Sequence, residues 1–190
     1  MDILVPNQLP YPLWSEECAT SADLRSTHCA ALQQQGVMLF LEDCTLEALD
    51  TFAQALSVSP NSAALREWRG LCYLKLGQYD KALAEFDQVV ILETNSANAY
   101  YNRAVCYYLL GDRMEALEDL NRSITLNPKS ENAYANRARV YCALGRYGEA
   151  QSDCDSLLLL NPDCPEALRL RLELLDDELC WEEDGSAPGG

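Results

Sequence analysis

The sequence NAYYNRAVCYYLLG at residues 98–111 is followed 34 residues later by a similar sequence, NAYANRARVYCALG, at residues 132–145. Both copies share the frame NAYxNRA, followed by a Tyr and by Leu-Gly. A motif that recurs at a fixed spacing indicates an internal repeat, and periods of about 20 to 50 residues are typical of solenoid proteins. The frame also raises a question, because the packing of a helix does not by itself require the Asn at positions 102 and 136.

Other positions recur when the chain is read in steps of 34 residues. Each unit has a small residue and a bulky residue in its first half, a turn residue in the middle, an Ala and a large apolar residue in its second half, and a Pro or Thr near its end. In that order the columns are Gly36, Gly70, Ala104 and Ala138; Leu39, Tyr73, Tyr107 and Tyr141; Asp43, Gly77, Gly111 and Gly145; Ala48, Ala82, Ala116 and Ala150; Phe52, Phe86, Leu120 and Cys154; and Pro60, Thr94, Pro128 and Pro162.

One unit shows what the columns mean physically. Apolar residues recur at spacings of three and four across residues 97–110, which predicts an amphipathic helix. Gly111 stands where a helix end favours a left-handed residue, and Asp112 can cap a second helix at residues 113–126. Asn127-Pro128 then ends that helix. The unit is therefore a helical hairpin, and one hairpin must stack on others to bury its apolar face.

These columns resemble those of the tetratricopeptide repeat family. The resemblance implies an all-α fold: a right-handed α-α superhelix, or solenoid, of four helical hairpins at residues 29–62, 63–96, 97–130 and 131–164. Residues 165–180 form an expected capping helix whose inner face would carry Leu168, Leu172, Leu175 and Leu179. The repeat domain then covers residues 26–180. Residues 1–25 are expected to be flexible or to lie extended on the array, and the acidic, Gly-containing tail at residues 181–190 is expected to be disordered.

Composition excludes several classes of partner. The chain has 190 residues, with 30 Asp and Glu against 14 Lys and Arg, and a formal net charge of −16. Such a charge repels nucleic-acid phosphates, so no nucleic-acid partner is expected. No apolar run is long enough for membrane insertion. Nine Cys and no secretory signal indicate a cytoplasmic protein with free thiols, a monomer or a weak homodimer.

Catalytic and metal-binding residues are not evident. His28 is the single His, and we interpret it as a solvent-facing residue near the start of the first predicted helix. No Gly-rich phosphate loop and no nucleophile elbow occurs. No two Cys have a zinc-site spacing, and Cys72, Cys106 and Cys154 fall at core positions. We therefore expect no enzyme activity, no metal and no cofactor.

The resemblance also implies which residues face a binding groove, because the first helix of each hairpin lines the concave surface in this family. A protein or peptide partner would meet these residues: Gln34, Val37, Phe40, Glu67, Trp68, Leu71, Lys75, Asn98, Tyr101, Asn102, Val105, Tyr108, Asn132, Asn136 and Arg139.

The column Gln34, Trp68, Asn102, Asn136 has two interpretations. A primary amide both donates and accepts hydrogen bonds, so a ladder of amides can bind the backbone of an extended peptide. Alternatively, each Asn forms a local hydrogen bond between neighbouring repeats. We favour binding, because the aromatic residues around the column are typical of a contact surface.

The family's carboxylate clamp, which binds the acidic C-terminus of large heat-shock chaperones, is not expected here. Such a site needs cations on either side of a central Asn. In frames centred on Asn102, Asn136 and Trp68, the flanking positions hold Glu67 and Leu71 with Asn132 and Asn136; Tyr101 and Val105 with Glu166 and Leu170; and Gln33 and Val37 with Asn98 and Asn102.

We therefore predict a non-enzymatic adaptor that binds a peptide or helical segment of a partner in its concave groove without a carboxylate clamp. One alternative is a small secretion-type or co-chaperone-like protein that shields apolar segments of its clients. Another is self-occlusion, in which the N-terminal run VPNQLPYPLW at residues 5–14 occupies the groove.

Overall fold

The computed structural model describes the backbone of residues 21–183 and the side chains of residues 24–174. Over this part of the chain the fold is all-α, with no strand. The helices are α1 (Ser21–Leu41), α2 (Thr45–Val58), α3 (Ala63–Lys75), α4 (Tyr79–Leu92), α5 (Ala97–Leu110), α6 (Arg113–Leu126), α7 (Glu131–Ala143), α8 (Tyr147–Leu160) and α9 (Pro165–Glu183). The bounds of α5 and α6 are those that the sequence predicts.

Consecutive helices pair as four antiparallel hairpins, α1 with α2, α3 with α4, α5 with α6, and α7 with α8. Each second helix also packs on the first helix of the next hairpin, and α8 packs on α9. The hairpins thus stack in chain order as a superhelix. We call the odd-numbered helices α1 to α7 the A-helices, and the even-numbered ones the B-helices.

The first helix is longer than the sequence predicts. Helix α1 begins at Ser21, so residues 21–25, which were expected to be extended or flexible, are helical. The SADLRSTH segment has no Pro or Gly, and it continues the apolar helix that follows without a break. His28 consequently lies inside α1 rather than near its start, and it is exposed. Helix α9 likewise continues to Glu183, so residues 181–183 of the tail, expected to be disordered, are helical. Residues 1–20 and residues 184–190 lie outside the described residues.

The turn inside each hairpin places one residue in the left-handed region. Gly77, Gly111 and Gly145 have φ of 70°, 95° and 71°, and Asp43 adopts the same conformation with φ of 68°. The next residue donates its backbone N–H to the carbonyl five positions back, as Asp112 does to Tyr107 at 2.9 Å. This is a Schellman turn, and it joins the two helices with little intervening chain.

Helix capping differs from the prediction at Asp112. Asp112 stands at the N-cap of α6, but its side chain forms no capping hydrogen bond. The backbone there has ψ of 71°, outside the extended conformation that lets an N-cap side chain reach the first turn. Side-chain caps lie instead at the A-helices, where Ser62, Ser96 and Ser130 accept from backbone N–H groups of their own first turns.

The two helices of each hairpin meet where the small column faces the large apolar column. Gly70 lies against the ring of Phe86, and a Cβ added to Gly70 would stand 2.8 Å from Phe86 Cζ. Gly36 would meet Phe52 at 2.7 Å. The third and fourth hairpins have Ala in the small column, and the residue opposite is smaller, Leu120 or Cys154. Since all these large-column residues are buried, each hairpin adjusts the two sizes to each other.

Gly70→Ala should destabilise the protein by about 1 to 3 kcal/mol, because the new methyl group overlaps the Phe86 ring. In a Phe86→Leu background the same substitution should be neutral or stabilising, since Leu leaves room for a methyl and Ala favours the helix. Urea unfolding of the wild type, the two single variants and the double variant measures the coupling in this double-mutant cycle.

Gly148→Ala is the matched control, because a Cβ at Gly148 of α8 meets no atom within 4 Å. Because Gly148 is the second residue of α8, this change should leave the stability unchanged or raise it by less than about 1 kcal/mol. Equal effects of Gly70→Ala in both backgrounds would contradict the size matching.

A second column joins the helices by charge. Arg69, Arg103, Arg137 and Arg171 stand 34 residues apart, at the Arg position of the NAYxNRA frame. Arg103 donates from Nε and Nη2 to the two oxygens of Asp119 at 2.7 and 2.8 Å, and from Nη1 to Asp87 at 3.0 Å. Asp119 belongs to the B-helix of the same hairpin and Asp87 to the previous one. One guanidinium therefore ties an A-helix to both of its B-helix neighbours.

The same arrangement recurs in the next hairpin. Arg137 donates two hydrogen bonds to Asp153, at 2.8 and 2.6 Å, and a third to Asn121 of the previous B-helix at 2.7 Å. Both Asp119 and Asp153 are buried. The hydrogen bonds that Arg103 donates to Asp119 raise the pKa of Arg103 above its ordinary value, and those that Arg137 donates to Asp153 do the same for Arg137.

We call this series of contacts between Arg residues of the A-helices and polar residues of the B-helices the charged ladder. Its contacts differ at the two ends of the array. Arg171 of α9 extends it to Asp155 at 3.7 Å, and Arg69 shares Glu85 with Arg66. The first hairpin has Gln35 and Thr51 at the two positions instead. The charged ladder therefore holds together the second to fourth hairpins and α9.

Arg103→Met should destabilise the protein by about 3 to 5 kcal/mol, because it leaves the buried carboxylate of Asp119 without its cation. Arg169→Met is the control, since Arg169 pairs with Glu173 where both side chains are more than half exposed. That change should cost less than about 1 kcal/mol. Equal losses of unfolding free energy in urea would contradict a structural role for the ladder.

Helix α9 caps the array with a different face from the predicted one. Ala167, Leu170 and Leu174 are buried, whereas Leu168 and Leu172 are exposed; the side chains of Leu175 and Leu179 lie outside the described residues. The prediction was wrong for Leu168 and Leu172 because leucines at helical spacing occupy two faces of α9. The 34-residue step distinguishes the faces, since Ala167 and Leu174 continue the buried positions Ala133 and Val140.

Candidate functional site

The predicted groove residues lie on the A-helices, and the closest contacts between them join residues 35 positions apart. Asn102 Nδ2 donates to Glu67 Oε1 at 2.9 Å, and Asn136 Nδ2 donates to the Tyr101 hydroxyl at 2.9 Å. These bonds run from α5 to α3 and from α7 to α5. The A-helices are therefore adjacent, and these side chains share one surface.

Both Asn amides thus have partners inside the protein. Asn136 also accepts a hydrogen bond from Arg139 Nη1 at 3.2 Å, within its own helix. These geometries are those of ordinary hydrogen bonds. The bonds from Asn102 to Glu67 and from Asn136 to Tyr101 join neighbouring repeats. They correspond to the alternative interpretation of the Asn column, in which each Asn forms a local hydrogen bond. A role of Asn102 and Asn136 in binding a partner backbone stays a prediction, and it would require these bonds to exchange or to be shared.

The end of this surface near the N-terminus is filled by its own aromatic side chains. The Trp68 ring stacks on Phe52 with centroids 6.2 Å apart and meets Phe40 edge-on at 5.6 Å. Lys75 Nζ lies 4.7 Å from the Phe40 centroid and 2.6 Å from Asp43 Oδ1. Val37 also packs against this cluster. Four predicted groove residues here therefore contribute to packing within the array: Val37, Phe40, Trp68 and Lys75.

Between α5 and α7 the surface deepens into a pocket of about 260 Å³. Five predicted groove residues line it: Tyr101, Val105, Tyr108, Asn136 and Arg139. Ala104, Leu109, Leu120 and Val140 complete the lining, and the sequence did not predict these four. Because most of the lining is apolar and Asn136 and Arg139 of α7 add polar groups, this pocket can hold an apolar side chain next to a polar group.

The other predicted residues lie apart from this pocket. Leu71 packs with the core around Phe86, and Gln34, Asn98 and Asn132 are exposed. The structure therefore brings together one part of the predicted groove residues. The missed lining residues could have been found from the 34-residue register, because Ala104 and Leu120 face each other inside the hairpin as Gly70 and Phe86 do.

The charges around the pocket are paired. Arg139 Nη2 forms an ion pair with Glu166 of α9. Burial raises the pKa of the Tyr101 hydroxyl, although the hydrogen bond with Asn136 partly offsets this. Burial also raises the pKa of the Glu67 carboxyl, nearby Glu93 adds to the shift, and the hydrogen bond from Asn102 opposes it. Glu67 is therefore an ionisable group whose charged form the fold disfavours.

Glu67→Gln should make the protein more stable near neutral pH, because Gln keeps an acceptor for Asn102 and removes the partly buried charge. The raised pKa means that the folded state binds the Glu67 proton more tightly than the unfolded state does. The advantage of the Gln variant should therefore shrink as the pH falls through the raised pKa and vanish below the ordinary Glu pKa. Urea unfolding of both proteins from pH 4 to pH 8 measures it; a difference independent of pH would contradict the assignment.

The described side chains offer no metal site, because no three His, Cys, Asp or Glu come together in a suitable group. Burial raises the pKa of the Cys72 and Cys154 thiols to about 11 and that of Cys106 to about 12. These three side chains are buried, as their predicted core positions require, and at neutral pH they are protonated thiols with little nucleophilic character.

Fold and surface together define the class of this protein: a solenoid of helical hairpins whose first helices form a surface with an apolar pocket. Comparison with protein families gives the particular family. Models described as the tetratricopeptide repeat match residues 97–130, and residues 51–84 and 120–152, and a TPR repeat model matches residues 70–111. Together the matches run from residue 51 to residue 152, more than half of the chain. The chain belongs to the tetratricopeptide repeat family.

Solved structures confirm the superhelical fold. The chain is similar to the pilF protein of Pseudomonas aeruginosa, with a TM-score of 0.74 and 20% identity over 83% of this chain and 72% of that one. It is similar to TTC0263, a tetratricopeptide repeat protein of Thermus thermophilus, with a TM-score of 0.67 and 24% identity over 79% and 82% of the two chains. No match was found among curated proteins.

A third similar structure is the first TPR of Spaghetti (RPAP3) bound to the HSP90 peptide SRMEEVD. Its TM-score is 0.60 and its identity 26%, over 62% of this chain and 93% of that one. Proteins of this family bind protein partners and are generally scaffolds without enzyme activity, so the fold supports a protein-interaction role in general. No helix within residues 21–183 combines the length and apolar composition that crossing a bilayer requires.

Proposed function

We propose that this protein is an adaptor that binds a peptide or helical segment of a protein partner in its concave groove, with the pocket between α5 and α7 as the main anchor point. The pocket is the observation that carries the proposal. It joins five groove residues at one place, and buried anchors in such pockets supply most of the binding energy in many interfaces.

The pocket favours a partner with one large apolar side chain. Tyr101, Val105 and Tyr108 offer apolar and aromatic surface, and the Tyr108 side chain is still partly exposed in the unbound protein. Asn136 and Arg139 stand at the same pocket and can contact the partner backbone beside the anchor. A Leu, Met or Phe side chain would be released from water there, and this would drive the association.

A carboxylate clamp is not part of this proposal, although the RPAP3 repeat domain is bound to a peptide ending in Glu-Glu-Val-Asp. The two cations among the proposed groove residues are engaged: Lys75 with Asp43 and the Phe40 ring, and Arg139 with Glu166. Glu67 adds negative charge near Asn102. An acidic terminus would have to displace these ion pairs and approach a chain with a net charge of −16.

As part of this proposal we retain the sequence-based prediction of a cytoplasmic protein that is a monomer or a weak homodimer. An adaptor of this kind needs one groove and one segment, so a second copy is not required for binding.

Selection of peptides from a random library displayed on phage tests the proposal without a known partner. The selected sequences should share one large apolar residue and should not require a free acidic C-terminus. Tyr108→Ala should weaken binding of the selected peptides at least about tenfold, since an anchor contact contributes roughly 1.4 kcal/mol or more. Fluorescence anisotropy of a labelled peptide measures the affinity.

The matched control is Leu159→Ala, which removes an apolar side chain that is 85% exposed on α8. The Leu159→Ala variant should bind the selected peptides as tightly as the wild type does. Both it and the Tyr108→Ala variant should unfold at nearly the wild-type urea concentration. Equal affinities of the Tyr108 and Leu159 variants would overturn the pocket as the anchor. Selection of peptides that bind only through a C-terminal carboxylate would overturn the proposed partner chemistry.

A further inference from the structure

The N-terminal side of α1 has the character of a surface between repeats, although no repeat precedes it in the described residues. A shallow depression of about 400 Å³ is lined by Ala31, Gln34, Gln35, Met38, Leu39 and Glu42. The Met38 side chain is 54% exposed, and Ala31 is also exposed. These are apolar residues at positions where the later hairpins bury theirs.

The 34-residue register shows what normally covers such a face. Met38 corresponds to Cys72, Cys106 and Val140, and each of these three is fully buried. They pack in clusters with residues of the preceding B-helix, as Cys72 does with Phe52 and Cys106 with Phe86. Helix α1 has no preceding B-helix among residues 21–183, so the face of Met38 and Ala31 is an open stacking face.

We propose that the chain's own first twenty residues cover this face, with residues 9–14, LPYPLW, lying extended along α1. This inference concerns the end of the array, so it does not depend on the groove proposed above.

The composition of the segment fits the face. Residues 1–14 contain seven large apolar side chains and one charged side chain, Asp2. Pro6, Pro10 and Pro12 disfavour a helix and favour an extended backbone. Such a backbone has unpaired N–H and C=O groups, and the amides of Gln34 and Gln35 on α1 can bind both kinds of group. The rest of the segment, Ser15 to Thr20, joins directly to α1.

The distances also permit the contact. Ala31 and Met38 lie 10 and 17 residues into α1, about 15 and 26 Å from Ser21 along the helix axis. Trp14 and Leu9 lie 7 and 12 residues before Ser21, and an extended chain spans about 23 and 40 Å over those intervals. The run LPYPLW can therefore fold back over the whole face. A tethered segment also has a high effective concentration there, which a separate partner lacks.

A second copy of the chain is a weaker occupant. The face is one helix wide and half of its lining is polar, whereas a stable interface buries about 800 Å² per partner. Two chains would each bring a net charge of −16 to the contact. A head-to-tail contact with the exposed Leu168 and Leu172 of α9 would carry the same charge penalty.

Amide hydrogen exchange on the full chain tests the proposal, with wild type compared to the Leu13→Ser/Trp14→Ser variant. Exchange in residues 34–41 of α1 should be at least about tenfold faster in the variant, because the covering segment is released. Exchange in residues 101–109 of α5 should stay the same. Leu159→Ser is the control for an exposed apolar residue elsewhere, and it should leave α1 unchanged.

Three results would overturn the proposal. Faster exchange in residues 101–109 rather than in α1 would place the segment in the concave groove. Protection of α1 that rises with protein concentration, alone or together with α9, would show that a second copy covers the face. Equal exchange of α1 in wild type and variant, at every concentration, would show that LPYPLW does not cover it.

Discussion

The contact on which the rest of the structure depends is the close approach of the two helices in each hairpin, where a small residue on the A-helix meets a large one on the B-helix. Gly36 and Gly70 receive the rings of Phe52 and Phe86 at distances that leave no room for a Cβ. In the third and fourth hairpins smaller residues take these positions, and Ala104 packs in one cluster with Leu120, as Ala138 does with Cys154. The last pair is the least bulky, and Leu170 and Leu174 of α9 join its core cluster. Helix α9 thus adds large apolar side chains to the fourth hairpin, whose own pair of residues is the smallest.

Once the hairpins are formed, the recurring frame NAYxNRA serves their stacking in two directions. Arg103 and Arg137 point toward B-helices, where each binds a buried Asp of its own hairpin and a polar side chain of the previous one. The preceding residues, Asn102 and Asn136, point toward the neighbouring A-helix. Two adjacent residues of one A-helix thereby join it to the B-helices and to the neighbouring A-helix. Asn102 and Asn136 each have a hydrogen-bond partner on the neighbouring A-helix, so binding a partner segment would be an additional role.

The sequence predicts most of this fold because size and turn residues recur with the 34-residue period. The bounds of α5 and α6 follow from Gly111 and Pro128, and the buried columns follow from the register. Three features of the fold do not follow from the sequence pattern. The face of α9 was mistaken because helical spacing alone cannot choose between Leu168 and Leu170. Helix α1 begins before its predicted start because residues 21–28, SADLRSTH, contain no Pro or Gly that would interrupt it. The hydrogen bonds of Asn102 and Asn136 depend on side-chain rotamers, which composition and spacing do not determine.

The shape of the surface formed by the A-helices follows from the same size matching that forms the hairpins. Between α1 and α3 the rings of Phe40, Phe52 and Trp68 fill the space behind the surface. Between α3 and α5, Phe86 occupies the corresponding position and packs with Leu71 and Leu74. Between α5 and α7 the B-helix residue is Leu120, which is smaller than Phe, and Leu120 lines the pocket together with Tyr101 and Tyr108. A change in the core column from Phe to Leu therefore opens the surface at one place. Cys154 of the fourth hairpin is smaller still, but there Leu170 and Leu174 of α9 pack in the same cluster, so the pocket lies at the third hairpin.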